Sequence, residues 1–134
     1  MAFYIDTNIW VAALRGRAPH VMERMLRHDP QEIVVPHQVV AELRVGAAKS
    51  ARPEHHAWQV SLILHPFAIV WPDEAALACY VAIRVELEHA GRNISEADLW
   101  IAAMTRAADG VLVTHNTSEF QRVPGLKLED WLLP

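Results

Sequence analysis

The chain has a single cysteine, Cys79, among its 134 residues. An intramolecular disulfide framework is therefore impossible, and a reducing compartment is the natural expectation. No apolar run approaches the roughly 18 residues of a membrane span. The first residues, Met-Ala-Phe-Tyr-Ile-Asp, lack the basic segment and apolar stretch of a secretory signal. Together these features lead to the expectation of a soluble, cytoplasmic protein. Positive charge is also scarce: 12 Lys and Arg stand against 16 Asp and Glu, a formal net charge of −4. With no polybasic tail, indiscriminate charge-driven coating of nucleic acid is excluded, although a local basic face is not. No stretch is rich enough in Gly, Ser or Pro to act as a linker, and no internal repeat is present. What the chain does have is apolar residues, at 52%. That is ample for a packed core and excludes a disordered chain. The length suits one domain, residues 1–134.

Short apolar runs alternate with helical patterns. Ala2–Ile5, Ile33–Val35, Phe67–Trp71 and Val111–Val113 read as strands, with Leu126–Leu128 as a short fifth. Between them lie helical patterns over Ile9–Leu14, from Pro19 to about His28, through Val39–Ala47, from Pro53, from Asp73, and after Ser95. Alternation of this kind predicts an α/β domain with a parallel sheet flanked by helices. Such sheets bind ligands beyond the carboxyl ends of their strands. The residues to inspect are therefore Asp6, Thr7 and Asn8 after the first run, His37 after the second, and Thr114, His115 and Asn116 after the fourth.

Each candidate has a purely structural alternative. Asp6 is placed to cap a helix. Glu42 borders the apolar face of its helix, where a carboxylate needs a partner, and an arginine such as Arg44 would serve. Asp98 sits in a first helical turn, where the helix dipole favours an anion. It shares a face with Ile101, Ala102 and Thr105, whereas Glu96 falls on another face. Asn116 suits a turn with Thr117, or offers a neutral oxygen to a cation. Taken together, these are oxygen-bearing groups from distant segments, each at a strand end or near a helix start. Converging carboxylates repel one another unless a cation lies between them. Oxygen-only ligation suits Mg²⁺ or Mn²⁺, which can bind phosphate oxygens and activate water for attack on phosphorus. A zinc site has little support, with one Cys, no HExxH-like pattern, and His55 and His56 adjacent. Cys79, Trp10 and Trp100 read as packing residues.

Five blocks then occur in order: Ile5-Asp6-Thr7-Asn8-Ile9; Val39-Val40-Ala41-Glu42-Leu43; Ile94 to Ala103 around Asp98; Leu112 to Phe120 around Asn116; and Val123 to Trp131. In these the chain resembles, over essentially its whole length, the PIN-domain ribonucleases of the VapC type, the toxin halves of toxin–antitoxin pairs. The resemblance implies a PIN-like fold and Mg²⁺- or Mn²⁺-dependent endoribonuclease activity on cellular RNA such as tRNA or rRNA. It assigns Asp6, Glu42 and Asp98 to the metal, with Asn116 as the fourth catalytic position, where Asp is frequent. Thr7, Asn8 and Thr114 fall at supporting positions. It also implies a cognate antitoxin and a homodimer, with the helix from Asp73 to His89 as one interface. Arg15, Arg17, Arg24 and Arg27 are the candidates for an RNA-contacting rim, with ordinary solvated arginines as the alternative. A phosphohydrolase with Asp6 as nucleophile is the rival enzyme, but it wants a carboxylate two residues on, where Asn8 stands. A catalytically weak PIN-fold module that binds RNA or protein is the rival outside catalysis.

Overall fold

The computed structural model describes all of residues 1–134. The elements run β1 (Phe3–Ile5), α1 (Thr7–Leu14), α2 (Pro19–Leu26), β2 (Ile33–Pro36), α3 (His37–Ala48), α4 (Pro53–Leu64), β3 (Ala68–Val70), α5 (Glu74–Ala90), α6 (Glu96–Ala107), β4 (Val111–Val113), α7 (Thr117–Phe120) and β5 (Lys127–Glu129). A 3₁₀ turn over Pro30–Glu32 precedes β2. The strands form one sheet in the order β3-β2-β1-β4-β5, and every pairing is parallel. The predicted α/β class and all five strands are present. The turn at Pro30 and the short helix α7 are additions that periodicity could not reveal in so few residues.

Burial follows position in the sheet. The central strands β1 and β4 are buried at every residue, as all-apolar runs covered on both faces require. The edge strand β3 leaves Ala68 and Ile69 exposed. Trp10 is fully buried and ties α1 back to β1, its indole N–H donating to the Ile5 carbonyl at 3.1 Å while its ring leans on Phe67. Pro19 occupies the first turn of α2, where the missing N–H costs nothing. Gly91 ends α5 in the left-handed conformation, φ +66°, that favours glycine. Gly110 is required for a different reason. A Cβ there would meet the Ala2 carbonyl oxygen at 2.8 Å and the Tyr4 ring at 2.9 Å, so any larger residue would push β4 off β1.

The strand order sets the location of the site. From β1 the chain moves to β2 and β3 on one side, and later returns to β4 and β5 on the other. The order reverses between β1 and β4, and the crevice beyond the carboxyl ends of strands at such a point is where α/β sheets bind ligands. No helix is long and apolar enough to cross a membrane.

Candidate active site

Asp6 and Thr114 are the first residues beyond β1 and β4, on either side of that reversal. The ladder continues past both strands. The Asp6 N–H donates to the Val113 carbonyl at 2.9 Å, and the Thr114 N–H donates to the Glu129 carbonyl at 2.9 Å. The two side chains are thereby held next to each other. The Thr114 hydroxyl, itself fully buried, donates to Asp6 Oδ2 at 2.9 Å. Asp6 Oδ1 accepts from the Thr7 N–H at 2.8 Å, which makes Asp6 the cap of α1 as well. Capping and a place in the cleft are therefore compatible: the cap fixes the carboxylate's direction. Asp6 is only 7% exposed. Burial pushes its pKa above the ordinary value and the nearby Glu42 pushes it further, while the bonds from Thr7 and Thr114 oppose both.

Asp98 reaches the same place from α6. Ser95 caps that helix, its hydroxyl accepting from the Asp98 N–H at 3.3 Å. Asp98 is half-buried, and its carboxyl is pushed up to about 6 by burial and by the charges of Asp6, Glu119 and Glu42. The first turn of a helix ordinarily lowers a carboxyl pKa, so the rise reflects a crowd of like charges in a partly dry cleft. Glu42 extends from α3 on the exposed side and lines a cleft of about 250 Å³ with Val11, Leu14, Arg15, Leu43 and Gly46. It forms no ion pair, with Arg44 or any other cation.

Glu119, on α7, is the acid that sequence reasoning missed. Asn116 Nδ2 donates to Glu119 Oε2 at 2.8 Å, and the Asn116 N–H donates to the Thr114 hydroxyl at 3.0 Å. A continuous relay therefore runs from Asn116 through Thr114 to Asp6, while the Asn116 side chain orients Glu119. The available signal was the spacing: Glu119 lies three residues after a strand-end Asn, one helical turn away. Glu96 is elsewhere, accepting from the Tyr80 hydroxyl. Asn8 is exposed and takes no part in the side-chain hydrogen bonds of the centre.

The four candidate arginines differ in their surroundings. Arg15 and Arg17 are exposed, and Arg15 lines the cleft beside Glu42. Arg27 is exposed at the end of α2. Arg24, by contrast, is half-buried, pairs with Glu129 at 2.9 Å and lies over the Trp131 ring. His115 pairs with Asp130 at 2.8 Å and remains exposed. Trp100 stacks on Tyr80, and Cys79 packs against the core, both as packing residues.

The donors fit a hard divalent cation. Asp6, Glu42, Asp98 and Glu119 offer only oxygen, and the Thr7 hydroxyl beside Asp6 is buried without a hydrogen-bond partner. No three acidic, His or Cys side chains close into a complete cage. An open arrangement of this kind suits a hard divalent cation that keeps several waters and is held by one or two carboxylates plus substrate phosphates.

The PIN-domain profile matches residues 3–126. This chain belongs to the PIN-domain family. Within it, the chain groups with the VapC ribonucleases. Ribonuclease VapC1 of Haemophilus influenzae is 32% identical over 132 residues, 98% of either chain. The tRNA(fMet)-specific endonuclease VapC of Shigella flexneri is 32% identical over 131 residues, again 98% of each. Among solved structures, VapBC2 from Rickettsia felis bound to a promoter DNA fragment superimposes with a TM-score of 0.90 at 30% identity, covering 98% of this chain and 99% of that one. PIN-domain nucleases use divalent metal ions, in keeping with the oxygen-only donor set.

Proposed function

We propose that this chain, as one PIN domain acting in the cytoplasm, is the ribonuclease toxin of a toxin–antitoxin pair, and that it cleaves structured RNA at Asp6, Glu42, Asp98 and Glu119 with Mg²⁺ or Mn²⁺. The observation that carries this reading is the gathering of acids beyond the ends of β1 and β4, where Asp6 is fixed by Thr7 and Thr114, Glu119 is held by Asn116, and Asp98 lies close enough for Asp6, Glu119 and Glu42 to raise its pKa. Such crowding is unfavourable in the bare protein and becomes useful when a cation neutralises it. When bound, the ion supplies Lewis-acid polarisation of a phosphoryl oxygen and a water acidified toward neutral pH. Asp6, fixed by Thr7 and Thr114, is the rigid ligand. Asp98 is a second ligand, and its ionisation sets the lower pH limit of binding. Glu42 and Glu119 close the cleft from α3 and α7, and Asn116 holds Glu119 in position. Two relatives named for tRNA(fMet) point to tRNA as the substrate to try first.

The antitoxin reading draws support from the cleft between α1, α3 and α4. Its walls are Val11, Leu14, Leu43, Ala47 and Val60, and it opens onto Glu42 and Arg15. An apolar segment of the antitoxin fits those walls, and a Lys or Arg from it fits the acids in the metal's place. The homodimer reading draws support from α5. Its core face carries Ala76, Tyr80, Ile83 and Leu87, yet Leu77, Val81 and Val85, at helical spacing, leave a second apolar stripe exposed. Core packing therefore does not account for all the apolar residues of this helix.

The deciding experiment incubates the purified chain with total tRNA in Mg²⁺, Mn²⁺ or EDTA. Cleavage with either metal and none in EDTA is expected, with growth arrest on expression and rescue by the product of the adjacent gene. Intact RNA with both metals, together with unimpaired growth at high levels of folded protein, overturns the reading. RNA binding without cleavage assigns the chain to the binding-module alternative instead.

A further inference from the structure

A second concave region is formed by the segments that adjoin Asp98 and Glu119 along the chain, and it is of opposite character. It is an open cleft of about 520 Å³ between the α5–α6 connection and α7, lined by Gly91, Arg92, Asn93, Ser118, Gln121 and Arg122. None of these residues is apolar. The lining offers two guanidinium groups, two side-chain amides and a hydroxyl. Arg24, Arg84 and Lys127 are engaged in ion pairs, with Glu129, Glu88 and Asp109. Arg92 and Arg122 have no carboxylate partner. Arg122 is nevertheless held in place, because Nη1 donates to the Asn93 carbonyl at 3.1 Å and leaves its remaining N–H groups free.

We infer that this cleft binds a backbone phosphate of the RNA strand that is cut at the acids, with Arg92 and Arg122 as its cations. The inference rests on the nuclease reading and adds where the substrate is gripped. Unpaired guanidiniums with amides and a hydroxyl, and no apolar wall, suit a phosphate oxygen and give a base or an apolar side chain nothing to pack against. Both walls adjoin acid-bearing segments along the chain: Asn93 stands two residues before Ser95, which caps the helix carrying Asp98, and Ser118 directly precedes Glu119. One strand can therefore touch cleft and acids together. Finally, an acidic centre in a chain of net charge −4 repels RNA, so a nearby cationic foothold is needed to hold the strand against it.

The test measures binding of a fluorescein-labelled RNA stem-loop by anisotropy across a salt series, in an Asp6→Asn background that keeps the RNA intact. Arg92→Ala should weaken binding several-fold and lower the slope of log K against log salt by about 0.7, the value for one phosphate contact on a single strand. Arg92→Lys should keep the slope. Arg122→Ala should act alike but also frees the Asn93 loop, so Arg92→Ala is the deciding variant. Unchanged affinity and slope in folded Arg92→Ala overturn the inference while leaving wild-type cleavage, and with it the nuclease reading, intact. Normal RNA binding by Arg92→Ala with lost neutralisation by the antitoxin also overturns it, assigning the cleft to the protein partner. A wild-type chain that neither binds nor cleaves RNA overturns both readings.

Discussion

The Thr114 hydroxyl donates to Asp6 Oδ2 at 2.9 Å across 108 residues of sequence, in a fully buried position. This bond joins the two central strands at the point where the sheet order reverses, and it holds the least exposed acid of the site. Thr114→Val keeps the shape and removes the donor. We expect a loss of about 1.5–3 kcal/mol in stability, as for a hydrogen bond to a charged group. Metal affinity should fall by about 10–100-fold, as when a ligand loses its outer partner. Thr114→Ser should restore most of both. Thermal melts and Mn²⁺ titration calorimetry measure them, and an unchanged affinity in Thr114→Val would remove Thr114 from the site.

Asp6→Asn and Asp98→Asn should each abolish RNA cleavage with the fold intact. Each removes a full charge from the metal while keeping the side chain's shape. In EDTA, relief of repulsion among the acids should raise the melting temperature of Asp98→Asn above wild type. Wild-type cleavage rates in folded Asp98→Asn would refute the site assignment.

The raised pKa of Asp98 has a definite consequence for stability. Its ordinary value is 3.8 and its value in the folded protein is about 6. Between these the native state holds more protons than the unfolded chain, so stability falls as pH rises through this window. The metal-free protein should therefore be more stable at pH 5 than at pH 7.5, by up to about 1 kcal/mol after allowance for solvent screening. Metal binding has the opposite trend and should weaken below about pH 6, as Asp98 takes up its proton. Melts in EDTA across this range check the first claim. Asp98→Asn should flatten the curve.

Asn116→Asp should tighten Mn²⁺ binding or admit a second ion, since a carboxylate holds a cation more firmly than an amide. Because Asn116 Nδ2 donates to Glu119, the same change sets two carboxylates against each other and should lower the melting temperature in EDTA. Calorimetry and melts together decide the matter. Unchanged stoichiometry and affinity would leave Asn116 the single role of orienting Glu119.

Gly46 offers a direct test of the antitoxin cleft. A Cβ at this α3 position meets nothing within 4 Å, and its φ is not positive. Gly46→Leu should therefore enter the cleft without a clash at Cβ, and should raise stability by up to about 1 kcal/mol through helix propensity. It should also weaken neutralisation by the antitoxin, read as growth arrest that co-expression no longer relieves. Full rescue would place the antitoxin elsewhere.

Periodicity and spacing alone specify the class of the fold and point to candidate residues for the site. Short apolar runs alternating with helical periods specify strands and helices because burial on two faces or on one leaves different spacings. The carboxyl ends of those runs pointed to Asp6, Thr114 and Asn116 before any tertiary contact was known. What periodicity does not encode is which distant group each side chain meets. Arg24 and Arg27 look alike as neighbours on one helix, yet only Arg24 finds Glu129, 105 residues away. Glu119 sits in a helix of four residues, too short to carry a period, and joins the acids only because β4 pairs with β1. Glu42 reads as an acid beside an apolar stripe, and only the packing of α3 against α1 and α4 turns that edge into the wall of a cleft. Local spacing fixes which face of an element is buried. The order of strands in the sheet, set by the global packing of all the elements, decides which buried and half-buried charges share a cleft.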